Sequence, residues 1–124
     1  MVLRGGNGKP NYDETAVAQV ENELAKGKTN GKIMIDSSHA NSGKDPYLQP
    51  MVIQNVAEQI QNGNKSIIGM MIESHLKGGN QKLTADLSQL EYGKSITDGC
   101  LDWDSTVTAL RDLRDMVKDV LPNR

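Results

Sequence analysis

Two textures of apolar residues alternate along the chain. Short stretches are apolar at almost every position: Met1 to Leu3, Ile33-Met34-Ile35, and Ser66 to Ile72. These predict strands near residues 2–5, 32–36 and 66–72. The last is the most continuously apolar, as expected of a parallel strand covered on both faces. Between the runs, apolar residues recur at helical spacing. Val17, Val20 and Leu24, with Ala16, give a helix over Tyr12 to Lys26 that Asp13 can cap and that Gly27 and the turn KTNG end. Pro46 can open a second helix with Met51, Ile53, Val56 and Ile60 on its apolar face, up to Asn62-Gly63. Val107, Leu110, Leu113, Val117 and Val120 mark a third, with Asp104 as its N-cap and Pro122 as its stop. The chain from Glu73 to Asp102 is polar and reads as one long loop, a length that in compact domains is usually functional.

Strands alternating with amphipathic helices imply an α/β fold with parallel pairing and right-handed crossovers. Three βα units make an open sheet whose outer strands carry unpaired backbone groups, which natural proteins cover. The expected cover is the rest of a barrel or a second copy of the chain, so self-association is expected. There are no internal repeats, low-complexity tracts or interdomain linkers, and 124 residues suffice for one small domain. With no Phe, one Trp and three Tyr, the core must come from Ile, Val, Leu and Met. A net charge of −2 gives no basic footprint, so no nucleic-acid partner is expected. No apolar run approaches the roughly 20 residues of a membrane span, and the opening MVLRGGNGKPNYDE lacks a signal-peptide core. The single Cys100 fits a reducing compartment, and a cytoplasmic location is expected.

The candidate chemistry sits where the strands end. His39 follows the second apolar run in IMIDSSHAN, Glu73 closes the third in SIIGMMIESH, and Asp98 lies in GKSITDGC. In parallel sheets and barrels the carboxyl ends of the strands share one side, and ligands bind there. One imidazole and two carboxylates on that side make a divalent-metal site. Taken singly, His39 reads more simply as a structural histidine and Glu73 as an ordinary strand-end polar residue; their shared position sets them apart. Cys100 is expected to be packed and inert, and His75 is an uncertain further ligand. Arg4, followed by Gly5 and Gly6, is a candidate anion site, because a guanidinium binds phosphate or carboxylate bidentately and glycine lets an anion approach the backbone. Gly93-Lys94-Ser95 and Gly27-Lys28-Thr29 echo the tail of a phosphate loop, but the Gly that the motif needs five residues earlier is Ser88 or Asn22.

Four stretches occur in a telling order: LRGG with a nearby PNY, MIDSSHANSGK, IIGMMIESHLKGGNQ and YGKSITDGC. Together they resemble the carboxyl-terminal part of the metal-dependent class I 3-deoxy-D-arabino-heptulosonate-7-phosphate (DAHP) synthases, from Leu3 to the final helix. The resemblance implies a single domain over residues 1–124 that forms the last three βα units of a (β/α)8 barrel. It implies a transferase that condenses phosphoenolpyruvate with erythrose 4-phosphate at the first step of the shikimate pathway to aromatic amino acids. It implies a divalent metal cofactor (Mn, Zn, Fe or Co) held by a Cys, a His, a Glu and an Asp. The last three of these fall on His39, Glu73 and Asp98. The family's phosphoenolpyruvate-binding arginine falls on Arg4.

The departures shape the expectation as much as the matches. The family's metal-binding Cys has no counterpart here, since Cys100 is not its equivalent, and the other cationic residues that grip phosphoenolpyruvate are also missing. The chain alone is therefore expected to lack activity, with the amino-terminal portion of the barrel as its partner. The alternatives are a non-catalytic metal- or phosphate-binding or assembly module, and a piece of the related 3-deoxy-D-manno-octulosonate-8-phosphate synthase.

Overall fold

The structure is a computed structural model that describes residues 1–124. Three strands, β1 (Val2–Leu3), β2 (Ile33–Asp36) and β3 (Ile67–Met71), form a parallel sheet in the order β1-β2-β3. Helix α1 (Glu14–Lys26) joins the first pair and α2 (Gln49–Gln61) the second, while α3 (Trp103–Val117) follows the sheet. The fold is thus α/β with parallel strands and three helices, a partial barrel.

One face of the sheet is sealed. Ile33, Ile35 and Ile67 are fully buried against Val52, Val56 and Ala57 of α2, with Val17 of α1 and Val117 of α3 completing the cluster. The other face is open, with Val2, Met34 and Ile68 exposed. The expectation of β3 covered on both faces therefore fails for this chain, because three strands close no barrel interior. The β2–β3 register skips a residue, pairing Ile33 with Ile67 but Met34 with Gly69, and so leaves Ile68 without a partner.

The helices differ from expectation in phase. A 3₁₀ turn at Pro46–Leu48, capped by Asp45, precedes α2, so Pro46 opens the turn and Pro50 lies in the helix's first turn. Val52 and Ile53 face the core, and Met51 is exposed. In α3 the cap is Asp102, two residues before the expected Asp104, and its side chain accepts from the Ser105 amide. Thr106 and Ala109 are buried there and Leu110 is exposed. The helix also stops at Val117, ahead of Val120.

The segment after Glu73 is not the featureless loop expected. It contains β4 (Lys77–Asn80) and β5 (Lys94–Ser95), paired in parallel, and its two ends are closed on each other by bridges from Ser74 to Leu101 and from Gly79 to Cys100. Polar groups hold it together. Gln81 Nε2 donates to the carbonyls of Glu91 and Lys94, and Lys77 and Lys94 both pair with Glu91. No helix in the chain is long and apolar enough to cross a membrane.

Candidate metal centre

β2 ends at Asp36, which is 2% exposed. Two further residues lead into a 3₁₀ turn, His39–Ser42, that begins with His39 at φ +53°, a left-handed conformation uncommon for a side chain of this size. Asp36 shapes that turn from inside: Oδ1 accepts from the Ser38 amide at 2.8 Å, and Oδ2 lies 2.7 Å from His39 Nδ1. A carboxylate only accepts, so Nδ1 carries a proton in this contact, and in the neutral ring Nε2 is then the nitrogen with the free lone pair. Metal-binding histidines are commonly oriented in this way. Nε2 faces Asp98 Oδ2 at 3.5 Å.

Glu73 stands two residues past the end of β3. Asp98 lies three residues past β5, in the polar segment that follows Glu73, and is exposed, its side chain 60% accessible. One ligand atom each from His39, Glu73 and Asp98 lie within 4.8 Å of one another. Ligand atoms around a first-row divalent ion at about 2.1 Å lie roughly 3–4 Å apart, so a small inward movement would suffice. An imidazole lone pair and two carboxylates are all acceptors. Their convergence is unfavourable unless a cation or a proton lies between them, and the donor set suits a borderline-to-hard divalent ion.

Cys100, set aside as a ligand from sequence, is buried beside this cluster. Its Sγ lies 4.0 Å from Glu73 Oε2 and 3.5 Å from the Asp98 carbonyl. Burial pushes the thiol up, a bond with Ser95 opposes it, and the charges of Glu73 and Asp98 push it further up. It is therefore the neutral thiol near pH 7, a poor nucleophile. His75 is exposed and turned to its own backbone, accepting from the Leu76 amide, and it does not join the cluster.

Arg4 opens onto a cavity of about 500 Å³ that also touches His39 and Lys44. Its loop is tied to the His39 turn by two asparagines. Asn41 Nδ2 donates to the carbonyls of Leu3 and Asp36, Asn41 Oδ1 accepts from the Asn11 amide, and Asn11 Oδ1 accepts from the Gly5 amide. Gly5 has φ +72°, and a Cβ there would meet both Ala40 Cβ and the Lys9 carbonyl at 2.7 Å. Only glycine permits this close approach of the two loops. A larger groove between α2 and α3, about 720 Å³ and lined by Met51, Leu113 and Met116 among others, holds none of the candidate residues.

Two residues of the centre escaped the sequence reading. Asp36 could have been found as the acidic residue three before His39 at the end of an apolar run. Gln49, fully buried and bonded to the Glu73 backbone, gave no signal, because a glutamine in the first turn of a helix looks solvated.

Residues 1–111 match the model of the DAHP synthetase I family. The chain is 44% identical over 124 residues to the Tyr-sensitive phospho-2-dehydro-3-deoxyheptonate aldolase of Enterobacter agglomerans, covering 100% of this chain and 58% of that protein. It is 48% identical over 118 residues to the Phe-sensitive enzyme of Escherichia coli K12, covering 95% of this chain and 33% of that one. Among solved structures, the phospho-2-dehydro-3-deoxyheptonate aldolase of Francisella tularensis SCHU S4 superposes with a TM-score of 0.86 at 41% identity, over 94% of this chain and 33% of that chain. The chain thus spans between a third and three-fifths of the length of these relatives.

Proposed function

The chain belongs to the DAHP synthetase I family, and from that membership we propose that it carries the metal-binding part of a DAHP synthase active site. The activity is the condensation of phosphoenolpyruvate with erythrose 4-phosphate, in the cytoplasm. The observation that carries this reading is the convergence of His39, Glu73 and Asp98 within 4.8 Å, beside a cavity that Arg4 shares with His39. A divalent ion such as Mn, Zn, Fe or Co held by these three residues would supply Lewis-acid polarisation of the aldehyde oxygen.

The chain's own residues do the rest. Asp36 keeps the proton on His39 Nδ1, so that Nε2 remains a donor to a cation. Arg4 offers its planar fork to the phosphate or carboxylate of phosphoenolpyruvate. The Asn11–Asn41 ties keep that arginine's loop beside the His39 turn. Holding two anionic substrates in a reactive geometry takes more cationic groups than one arginine, and removing a single preorganised donor typically costs ~10²–10³ in rate. The remaining cationic groups and a fourth ligand would come from further barrel units, for which the free edges of β1 and β3 and the exposed Ile68 and Leu121 offer surface. Without them, the same edges favour self-association.

A chimaera tests this reading. Residues 1–124 would replace the matching third of the E. coli Phe-sensitive enzyme, and phosphoenolpyruvate consumption would be followed with erythrose 4-phosphate and Mn²⁺. The expected result is turnover by the chimaera, none by the 124-residue chain alone, and loss of the chimaera's turnover on His39→Ala. A folded but inert chimaera, or turnover of roughly 1–10³ per second by the chain alone, would contradict it.

A further inference from the structure

The chain beyond β3 poses a pairing problem. The β2–β3 ladder runs through Asp36 opposite Met71, and its last bond is from the Ser37 amide to the Met71 carbonyl at 2.9 Å. After that the β2 side turns away into the His39 turn, and no strand remains there to meet Glu73. A side chain from another element fills the place. Gln49, in the first turn of α2, accepts from the Glu73 amide through Oε1 at 2.9 Å and donates from Nε2 to the Glu73 carbonyl at 2.9 Å. Together these satisfy the amide and the carbonyl of Glu73, as a neighbouring strand would. The Leu101 amide also donates to the same Glu73 carbonyl, at 3.0 Å.

The carboxamide has one workable orientation. Reversed, it would set donor against donor and acceptor against acceptor. Ser37 Oγ, 3.0 Å from Gln49 Oε1 and 2.8 Å from the Met71 carbonyl, braces it further. Gln49 is 0% exposed, so water cannot replace any of these bonds.

We propose that Gln49 is a positioning residue for the metal centre, a side chain that stands in for a strand and fixes the peptide of Glu73 so that its carboxylate meets His39 and Asp98. The inference rests on the reading of His39, Glu73 and Asp98 as metal ligands and adds to it a residue that touches none of the ligand atoms. Partners of this outer kind typically set metal affinity by 10–100-fold. Gln59 supplies a matched control. It lies on the same helix, is 6% exposed, and donates to the Tyr12 carbonyl at 2.7 Å and to Asn55, away from the centre.

The experiment is a calorimetric Mn²⁺ titration of the 124-residue chain, its Gln49→Met and Gln59→Met variants, and His39→Ala, with melting temperatures measured in parallel. Both glutamine variants are expected to melt lower. Only Gln49→Met should weaken Mn²⁺ binding, by about 10–100-fold. Unchanged affinity in Gln49→Met, or equal weakening in Gln59→Met, overturns the inference and leaves the metal centre standing. Binding that survives His39→Ala overturns the metal centre itself, and the inference with it. If Gln49→Met does not fold, amide hydrogen exchange in the unaltered chain decides. The Glu73 amide should be protected to the level of the β3 amides, and exchange at the rate of an exposed loop overturns the inference.

Discussion

The βα body and the arm from Ser74 to Leu101 are stabilised by different physics, and the candidate metal centre draws on both. The body is held by apolar burial, with Ile33, Ile35, Val52, Val56 and Ile67 at 0% exposure. The arm buries only Gly93, Cys100 and Leu101, and it leaves Leu76, Leu83, Leu87 and Tyr92 exposed. What orders the arm is a lattice of side-chain amides and ion pairs around Gln81 and Glu91. The body supplies His39 and Glu73, each fixed by a buried partner, and the arm supplies the exposed Asp98. The candidate centre therefore joins two preset side chains and one adjustable side chain, and binding a cation there would tie the arm to the body.

The largest way to break this contrast is to hollow the body. Ile35→Ala removes a fully buried side chain and should cost about 2–5 kcal/mol, much of the stability of a small domain. Denaturant titration should show its midpoint fall sharply, with body and arm lost together. Next come the ligands. Glu73→Gln should weaken Mn²⁺ binding by more than the 10–100-fold typical of an outer partner, and Asp98→Asn should weaken it less, because Asp98 is held loosely. Calorimetry ranks the two, and the reverse order would mean that the arm, not the body, presets the site.

A smaller, confined effect is expected at Gly93. It sits at φ +79°, where a Cβ would lie 2.9 Å from Leu76 Cβ. Gly93→Ala should strain the arm by about 1–3 kcal/mol. Hydrogen exchange should quicken at residues 77–81 while the amides of β2 stay protected. Equal loss of protection in β2 would show that body and arm are one cooperative unit.

The smallest effect is a pH dependence at the end of the arm. The Ser105 amide, then its hydroxyl, hold Asp102 below the ordinary carboxylate range. Its folded value is lower than its unfolded value of 3.8. The stability it contributes is thus fully present above that value and is lost as pH falls through the folded one. Asp102→Asn keeps a good N-cap and removes the titration. The melting temperature of the unaltered chain should fall more steeply below about pH 4 than that of the variant, and parallel profiles would contradict this.

The same contrast explains what could be read in advance. The three strands were legible because burial on at least one face demands apolar runs, as in Ile33-Met34-Ile35. The positions of His39 and Glu73 were legible from the strand ends, and that of Asp98 from the family resemblance. The arm was not, because strands written Lys-Gly-Gly-Asn and Lys-Ser carry no apolar alternation, and their order comes from Gln81 and Glu91. The phase of α2 was missed because a 3₁₀ turn delays the helix and moves Val52, not Met51, to the core. Asp102 and Asp104 are both plausible caps, and only the bond from Ser105 chooses between them. Gln49 could not have been found, since its role depends on the gap in pairing beside Glu73.

The central claim is that His39, Glu73 and Asp98 together hold a divalent cation. The most direct test is a Mn²⁺ titration of the 124-residue chain beside its His39→Ala variant, with melting curves to confirm that both are folded. The account predicts one Mn²⁺ bound per chain, weakly, with binding lost in the variant. Equal binding by two folded proteins would contradict it and place any metal site elsewhere.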